Sequence, residues 1–255
     1  AGFLEQIIQS GMAGNKIIVN NFDYSPAGQI TRIDYGNGIS TQNAFDVNEL
    51  YRLKRKLSQK DSVKLQDTNY VYNAIGNILS ITDDSHTATK GSTTYTYDDL
   101  SRLTSATANF NNSTYNYANT FFYDAIGNIT YKSDVGLYSY AKGNNGNPYA
   151  ATSAGSQNIS YDKNGNLVGM DSKTFSYNYQ NLISSATVDG ATTNFLYDNA
   201  KNRVLKQTGD DSVWYVNQFY EFRKKGDKEK SQAYIYAGNL RVAVLEGITN
   251  FDQDG

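Results

Sequence analysis

The chain has no cysteine, which excludes a disulfide framework and thiol chemistry, and its single histidine, His86, excludes a metal site built from several His or Cys ligands. An all-carboxylate site remains open on composition. A Ser-His-Asp arrangement would have to use His86, yet no nucleophile-elbow sequence accompanies it, and Asp83-Asp84-Ser85-His86-Thr87 reads as an exposed loop tip. No apolar run approaches about 18 residues, so no visible segment is expected to span a membrane. The formal net charge is −2 and no basic stretch is long enough to neutralise a row of phosphates, which argues against nucleic acid as a partner. Ala1 to Ile8 offers no initiator Met, no basic leader and no signal-length apolar run, and is read as the start of a fragment.

Against those absences stand 22 Tyr and 11 Phe beside only 2 Pro, 2 Met and 1 Trp. That balance suits sheet surfaces covered with aromatics, and the chain is expected to be all-β. At 255 residues it is long enough for a substantial domain or for a piece of something longer.

A repeat organises it. Tyr123-Asp124-Ala125-Ile126-Gly127-Asn128-Ile129 has close counterparts at Tyr161-Asp162-Lys163-Asn164-Gly165-Asn166-Leu167 and at Tyr72-Asn73-Ala74-Ile75-Gly76-Asn77-Ile78. Nine anchors follow the same frame: Tyr24, Phe45, Tyr72, Tyr97, Tyr123, Tyr140, Tyr161, Tyr177 and Tyr197, at intervals of 16 to 27 residues. Two strands of common length plus two turns occupy about 20 residues, so each unit is close to one β-hairpin. An isolated hairpin is marginal in water, so each is expected to lie beside its neighbours in a continuous twisted strip.

In chain order, Lys16 to Tyr24 is expected to be a strand, with Ser25-Pro26-Ala27-Gly28 as a turn. Gln29 to Tyr35 alternates apolar and polar, and Gly36-Asn37-Gly38 suits a type I′ hairpin turn leading into Ile39 to Phe45. Phe45-Asp46-Val47-Asn48-Glu49 places Glu49 where the glycine usually falls. Tyr51 to Leu57 then spaces its basic residues nearly every other position, the pattern of a solvated sheet face. Residues 1–15 are read as an edge, 16–210 as the repeat strip, and 211–255 as a distinct lead-out.

Within the unit the residue types have separable jobs. Alternation sends both aromatics of Tyr95-Thr96-Tyr97 to one face, where they stack on adjacent hairpins. The acid or amide after the anchor (Asp46, Asn73, Asp98, Asp124, Asp162, Asp198) accepts hydrogen bonds from backbone N–H groups of the turn. Gly28, Gly76, Gly127 and Gly165, four residues after their anchors, permit a left-handed backbone, and Ile or Leu two residues later restarts the strand. These positions are read as structural, and no catalytic, cofactor-binding or metal-binding residue is assigned.

The motif at 123 to 129, together with the period, resembles the RHS or YD repeat. Tyr97-Asp98-Asp99-Leu100-Ser101-Arg102-Leu103 matches it further. Tyr234 to Val244 is similar to the segment leading into the RHS core, and Phe251-Asp252-Gln253-Asp254-Gly255 to the approach to that core. The resemblance implies a curved, spiralling antiparallel sheet forming part of a hollow β-shell. In toxin members such a shell encloses a C-terminal toxic domain. It also implies secretion or surface display, and partners in the rest of the same polypeptide and its enclosed domain. The chain departs from the family pattern where Asn77, Asn128 and Asn166 replace the Arg common after the repeat glycine, and where Ser101 replaces the glycine itself.

Other chemistries are weaker. An EF-hand-like count from Asp162 meets Lys173 where a bidentate Glu is needed. Arg223 to Lys230 is read as a solvated hairpin loop between aromatic strands. Many Asp and Glu residues exist for a glycosidase pair, but most Asp sit at repeat turns. The Tyr and Asn surface also suits stacking on sugars, which leaves an extracellular adhesion or carbohydrate-binding module, contacting a surface glycan or protein, as the alternative to a shell wall.

Overall fold

The computed structural model describes residues 3–10, 14–85, 90–140 and 147–248. His86 and Phe251 to Gly255 lie outside them. The chain divides after Asp134 into two compact units.

The first unit contains β1 (Ile7–Gln9), β2 (Lys16–Tyr24), β3 (Ile30–Tyr35), β4 (Ile39–Asp46), β5 (Arg52–Lys60), β6 (Val63–Tyr72), β7 (Ile78–Asp83), β8 (Gly91–Tyr97), β9 (Leu103–Phe110), β10 (Tyr117–Tyr123) and β11 (Ile129–Lys132). Every strand pairs antiparallel with the next in sequence. The second unit follows the same rule through β12 (Gly136–Ser139), β13 (Ser153–Ala154), β14 (Gln157–Tyr161), β15 (Leu167–Met170), β16 (Lys173–Tyr177) and β17 (Ile183–Val188). It continues through β18 (Ala191–Tyr197), β19 (Arg203–Thr208), β20 (Asp211–Asn217), β21 (Tyr220–Lys225), β22 (Lys228–Ala237) and β23 (Leu240–Ile248). The architecture is all-β, as the aromatic-rich composition anticipates, with one short 3-10 turn among the described residues, at Ser113–Tyr115.

Within each unit pairing runs from strand to strand, with a register slip that recurs at one point of the repeat. The register slips immediately before Tyr24, Phe45, Tyr72, Tyr97, Tyr123, Tyr161, Tyr177, Tyr197 and Tyr236. Val71 faces Ser80 while Tyr72 faces Ile78, which leaves Leu79 as an extra residue on the returning strand. That is a β-bulge, and bulges strengthen local twist.

The two faces of the sheet differ in shelter. On the tyrosine side of the first unit, Phe22, Ile33, Thr41, Thr68, Thr93, Ala106 and Ala108 are buried. Their positions are adjacent in register, with Phe22 opposite Ile33, Ile33 opposite Thr41, and Thr93 opposite Ala108. The anchors' predecessors Val71 and Phe122 point the other way and are exposed. Asp67, also buried, is held bidentately by Arg55 (Nε to Oδ1 2.6 Å, Nη2 to Oδ2 2.9 Å) and by Lys64 (2.5 Å). In the second unit the buried pair Glu221 and Gln232 are direct neighbours across β21 and β22. Arg223 Nε donates to Glu221 (2.6 Å) and Gln232 Nε2 donates to Glu246 (2.6 Å).

Three local expectations fail. Gly36-Asn37-Gly38 is a three-residue loop, closed by Gly38 N–H to Tyr35 C=O (3.0 Å), with only Gly38 at positive φ (84°); a type I′ turn needs two such residues in succession. The reason is tertiary. Gly36 lies against β2, its N–H donating to Ile18 C=O (2.9 Å), and a Cβ there would stand 1.9 Å from the Ile17 carbonyl oxygen. Second, Glu49 does not take the glycine's conformation. The Phe45 turn runs longer, with Phe45 opposite Leu53, and Leu50 and Tyr51 carry the positive φ values (57° and 55°). Third, Arg223 to Lys230 is mostly strand: Arg223 pairs Lys230, Lys224 pairs Glu229 and Lys225 pairs Lys228, leaving a loop of Gly226 and Asp227 alone.

Candidate functional site: the tyrosine–aspartate turn

One turn recurs with the same hydrogen bonds. The residue after the anchor donates its N–H to the carbonyl four residues on: Asn73 to Asn77 (2.9 Å), Asp98 to Arg102 (3.0 Å), Asp124 to Asn128 (2.9 Å), Asp162 to Asn166 (2.9 Å), Asn178 to Leu182 (2.9 Å) and Asp198 to Asn202 (2.9 Å). Ser25 does the same to Gln29 (2.8 Å). A second bond runs the other way, from the residue three further on, such as Gly76 N–H to Asn73 C=O (3.0 Å). That donor residue has positive φ in every case: Gly28, Gly76, Ser101, Gly127, Gly165, Asn181 and Lys201. Glycine is the low-strain choice there, and Ser101, Asn181 and Lys201 hold the same conformation at a conformational cost.

The acidic or amide side chain closes the loop from within. Asp124 Oδ1 accepts from the N–H groups of Ile126 (3.0 Å) and Asn128 (2.8 Å), and Asp162 Oδ1 accepts from Asn164 and Asn166 (2.9 Å each). The second carboxylate oxygen meets the side chain four residues later. Asn128 Nδ2 (3.0 Å), Asn166 Nδ2 (2.9 Å), Asn202 Nδ2 (3.0 Å) and Arg102 Nε (2.7 Å) all donate to it. Asn and Arg after the repeat glycine are therefore alternative partners for one carboxylate. In the Tyr72 turn the acid is replaced by Asn73, and the buried Asn77 Nδ2 has no partner.

These bonds hold the turn carboxylates below their ordinary range. The Arg102 backbone N–H is the main cause at Asp98, and the Asn166 and Asn202 amides are the main causes at Asp162 and Asp198. At Asp124, burial pulls upward, but the Asn128 backbone and amide outweigh it. The Asn48 N–H lowers Asp46, with Lys54 assisting.

Tyrosine at the anchor has a second task that aromatic periodicity does not reveal. The Tyr72 hydroxyl donates to Leu53 C=O, Tyr97 to Ile78 and Tyr123 to Leu103 (2.8 Å each), and Tyr177 to Leu167 (2.9 Å). Each acceptor is the residue paired with the preceding anchor, so the ring spans two hairpins and ties them. Tyr24 reaches Leu4 C=O in the same way (2.8 Å), with Phe3 stacked on its ring at 4.5 Å. Burial pushes the Tyr72, Tyr123 and Tyr177 phenols up, as expected for hydroxyls withdrawn from water.

Successive turns are also joined directly. Arg102 stacks over the Tyr123 ring at 4.7 Å and donates from Nη1 to Asp124 C=O (3.1 Å). Arg52 donates to the carbonyls of Asn73 (3.1 Å) and Ala74 (3.2 Å). In the second unit Asn166 Nδ2 reaches Asn181 Oδ1 (3.0 Å). Tyr140 directly follows β12, and the residues that would form its turn lie outside the described ones. The Asp162 carboxylate is engaged within its own turn, and among the described residues no group of three or more His, Cys, Asp or Glu is placed to hold a metal ion. The arrangement closes turns and joins hairpins.

Comparison with known proteins agrees with this geometry. The RHS Repeat family model matches residues 72–112, which contain the Tyr72 and Tyr97 turns. Toxin subunit YenC1 of Yersinia entomophaga is 31% identical over 161 residues, covering 51% of this chain and 16% of that protein. Toxin subunit YenC2 of the same organism is 30% identical over 148 residues, covering 45% of this chain and 15% of that protein. Among solved structures, TcdB2-TccC3 matches all of the chain with a TM-score of 0.74 at 20% identity, over 15% of its own length. The Photorhabdus luminescens Tc holotoxin pore matches 97% of the chain at 0.72 and 20% identity, over 14% of its own length. The chain thus spans about a sixth of the relatives it matches, and the structural likenesses show its fold. The same turn recurs along both units, the RHS Repeat model is seated on two of those turns, and the chain is similar to two toxin subunits and shares its fold with TcdB2-TccC3 from end to end.

Proposed function

We propose that this chain is a length of wall in an RHS shell that encloses a C-terminal toxin or effector domain of the same polypeptide. The observation that carries the reading is the full-length fold match to TcdB2-TccC3, supported by the homology to two toxin subunits. The mechanism is steric. Sequential strand pairing leaves no unpaired strand edge between neighbours within either unit, and Tyr hydroxyl and Arg ties fasten several hairpins to their neighbours, so the sheet separates what lies on its two sides. The segment is non-enzymatic on this reading, and the repeat tyrosines, Asx residues and glycines are structural. Residues 16–210 serve as repeat strip and 211–255 as the lead into the core.

Secretion or surface delivery fits the relatives' description as toxin subunits, and no helix among the described residues is long and apolar enough to cross a membrane. Nothing among the described residues favours the adhesion alternative. The test is protease protection in the complete polypeptide that carries this chain. A downstream domain that resists protease while the wall is intact, and is digested once the wall is opened by mild denaturant, supports enclosure. A domain digested equally in both states sinks it.

A further inference from the structure

The charges where β19 to β22 meet at their tips sort by face. Lys206, Val213, Arg223 and Lys230 lie in one cross-strand row, and on the same face Lys225 and Lys228 stand directly opposite each other. Arg223 is paired with Glu221 and Lys230 with Glu246, whereas Lys206, Lys225 and Lys228 have no ion pair among the described residues. An open pocket of about 400 Å³ on this face is lined by Lys206, Arg223, Lys224 and Lys225, with Asp211 as the single acid among the described residues. Asp211 is engaged, its Oδ1 accepting from the Gly226 N–H (3.2 Å). The pocket on the other face, beside Gln207 and Trp214, holds the two remaining turn acids, Asp210 and Asp227. Like charges directly across a ladder are destabilising, so Lys225 and Lys228 cost the fold stability that a bound anion would restore.

We propose that the cationic pocket seats an acidic polypeptide segment, its carboxylates held by Lys206 and Lys225. The spread of charge selects that partner. The two lysines spring from strands two apart, about 10 Å at the backbone, which suits an anion carrying several separate charges better than a single compact one. Carboxylates on one face of an extended segment recur about every 7 Å, and the flexible lysine stems reach to meet that spacing. Three unpaired cations neutralise too few phosphates to hold a nucleic acid at physiological salt. Exposed ion pairs are individually weak and screened, so the contact is salt-sensitive and of low affinity. It stands whether or not the wall encloses a toxin.

The probe is a fluorescently labelled, end-blocked hexaglutamate peptide, titrated with this chain at low salt and followed by anisotropy. Hexaglutamate should bind and hexaglutamine should not. Lys206→Gln combined with Lys225→Gln should weaken binding about tenfold, the loss of two ion pairs. The control is Lys173→Gln combined with Lys201→Gln, which makes the same change in net charge outside the pocket and should leave binding unchanged. Matching melting temperatures show that both double variants are folded. Absence of hexaglutamate binding overturns the proposal, as does an equal loss in the two double variants, which would mean attraction to the chain's charge at large. Displacement of the peptide by inorganic phosphate, where chloride of equal ionic strength has no effect, assigns the pocket to a small anion and also overturns it.

Discussion

Asp98 in the first unit and Asp162 in the second close their turns with the same set of contacts, two backbone N–H groups on one oxygen and a side chain on the other. Two residues beyond each, the chain shows Leu100 in one case and Asn164 in the other. The bonds that make the turn and the group that the turn presents are thus independent variables. A sequence can keep the fold strictly while rewriting what each edge offers to its surroundings.

The opposite hairpin tips differ between the units more sharply, and the largest expected effect tests that. Gly36→Ala drives a methyl into the Ile17 carbonyl oxygen and should cost about 3 kcal/mol in urea unfolding. Gly209→Ala, at a second-unit tip where a Cβ meets nothing within 4 Å, keeps only the strain of a positive φ (55°) and should cost about 1 kcal/mol. Equal losses would mean that the Gly36 tip is no tighter than the others.

Acid separates the units next. Asp67 of the first unit is lowered to about 2, chiefly by the Arg55 hydrogen bonds working against burial. A folded-state value below the unfolded 3.8 stabilises above that pH and is lost as pH falls through the folded value. The shift corresponds to about 2 kcal/mol, present at neutral pH and gone near pH 2. Asp67→Asn should therefore destabilise the chain at pH 7 and flatten its stability between pH 4 and pH 2, followed by urea midpoints. The turn carboxylates are lowered in both units and add an acid sensitivity that remains in the variant.

The hydroxyl ties should not distinguish the units at all. Tyr72→Phe and Tyr177→Phe each remove one donor to a backbone carbonyl, and about 1 kcal/mol is expected from either. A loss at one and none at the other would show that the tie belongs to one unit only. The smallest effect is a gain: Asn73→Asp supplies the carboxylate that Asn77 Nδ2 lacks and should stabilise by up to about 1 kcal/mol, bringing the Tyr72 turn to the pattern of Asp162 and Asn166. An unchanged or lowered midpoint counts against that pairing.

Much of this was legible in the residues because the repeat uses short-range chemistry. An aromatic followed by Asp or Asn, then Gly, then Ile or Leu specifies the turn locally, and alternation specifies the faces. What escaped the sequence was either tertiary or atomic. Asn37-Gly38 promised a type I′ turn on local grounds, but the approach of Gly36 to β2 decided the loop. Two extra residues in the Phe45 turn moved the left-handed backbone from Glu49 to Leu50 and Tyr51. The basic run at 223 to 230 read as loop because its charge outweighed its strand pairing. The tie from each tyrosine hydroxyl had one available signal, the dominance of Tyr over Phe at the anchors, since packing alone would accept either ring.

That tie has a consequence for how such chains lengthen. At Tyr72, Tyr97, Tyr123 and Tyr177 the hydroxyl reaches the carbonyl of the residue paired with the preceding anchor. Inserting or deleting a whole pair of strands leaves each of these phenols facing an equivalent carbonyl, whereas adding a single strand would reverse the chain direction and orphan one. Gene duplication can therefore extend or shorten the protein only in hairpin-sized steps, and each new step arrives with its attachment already specified.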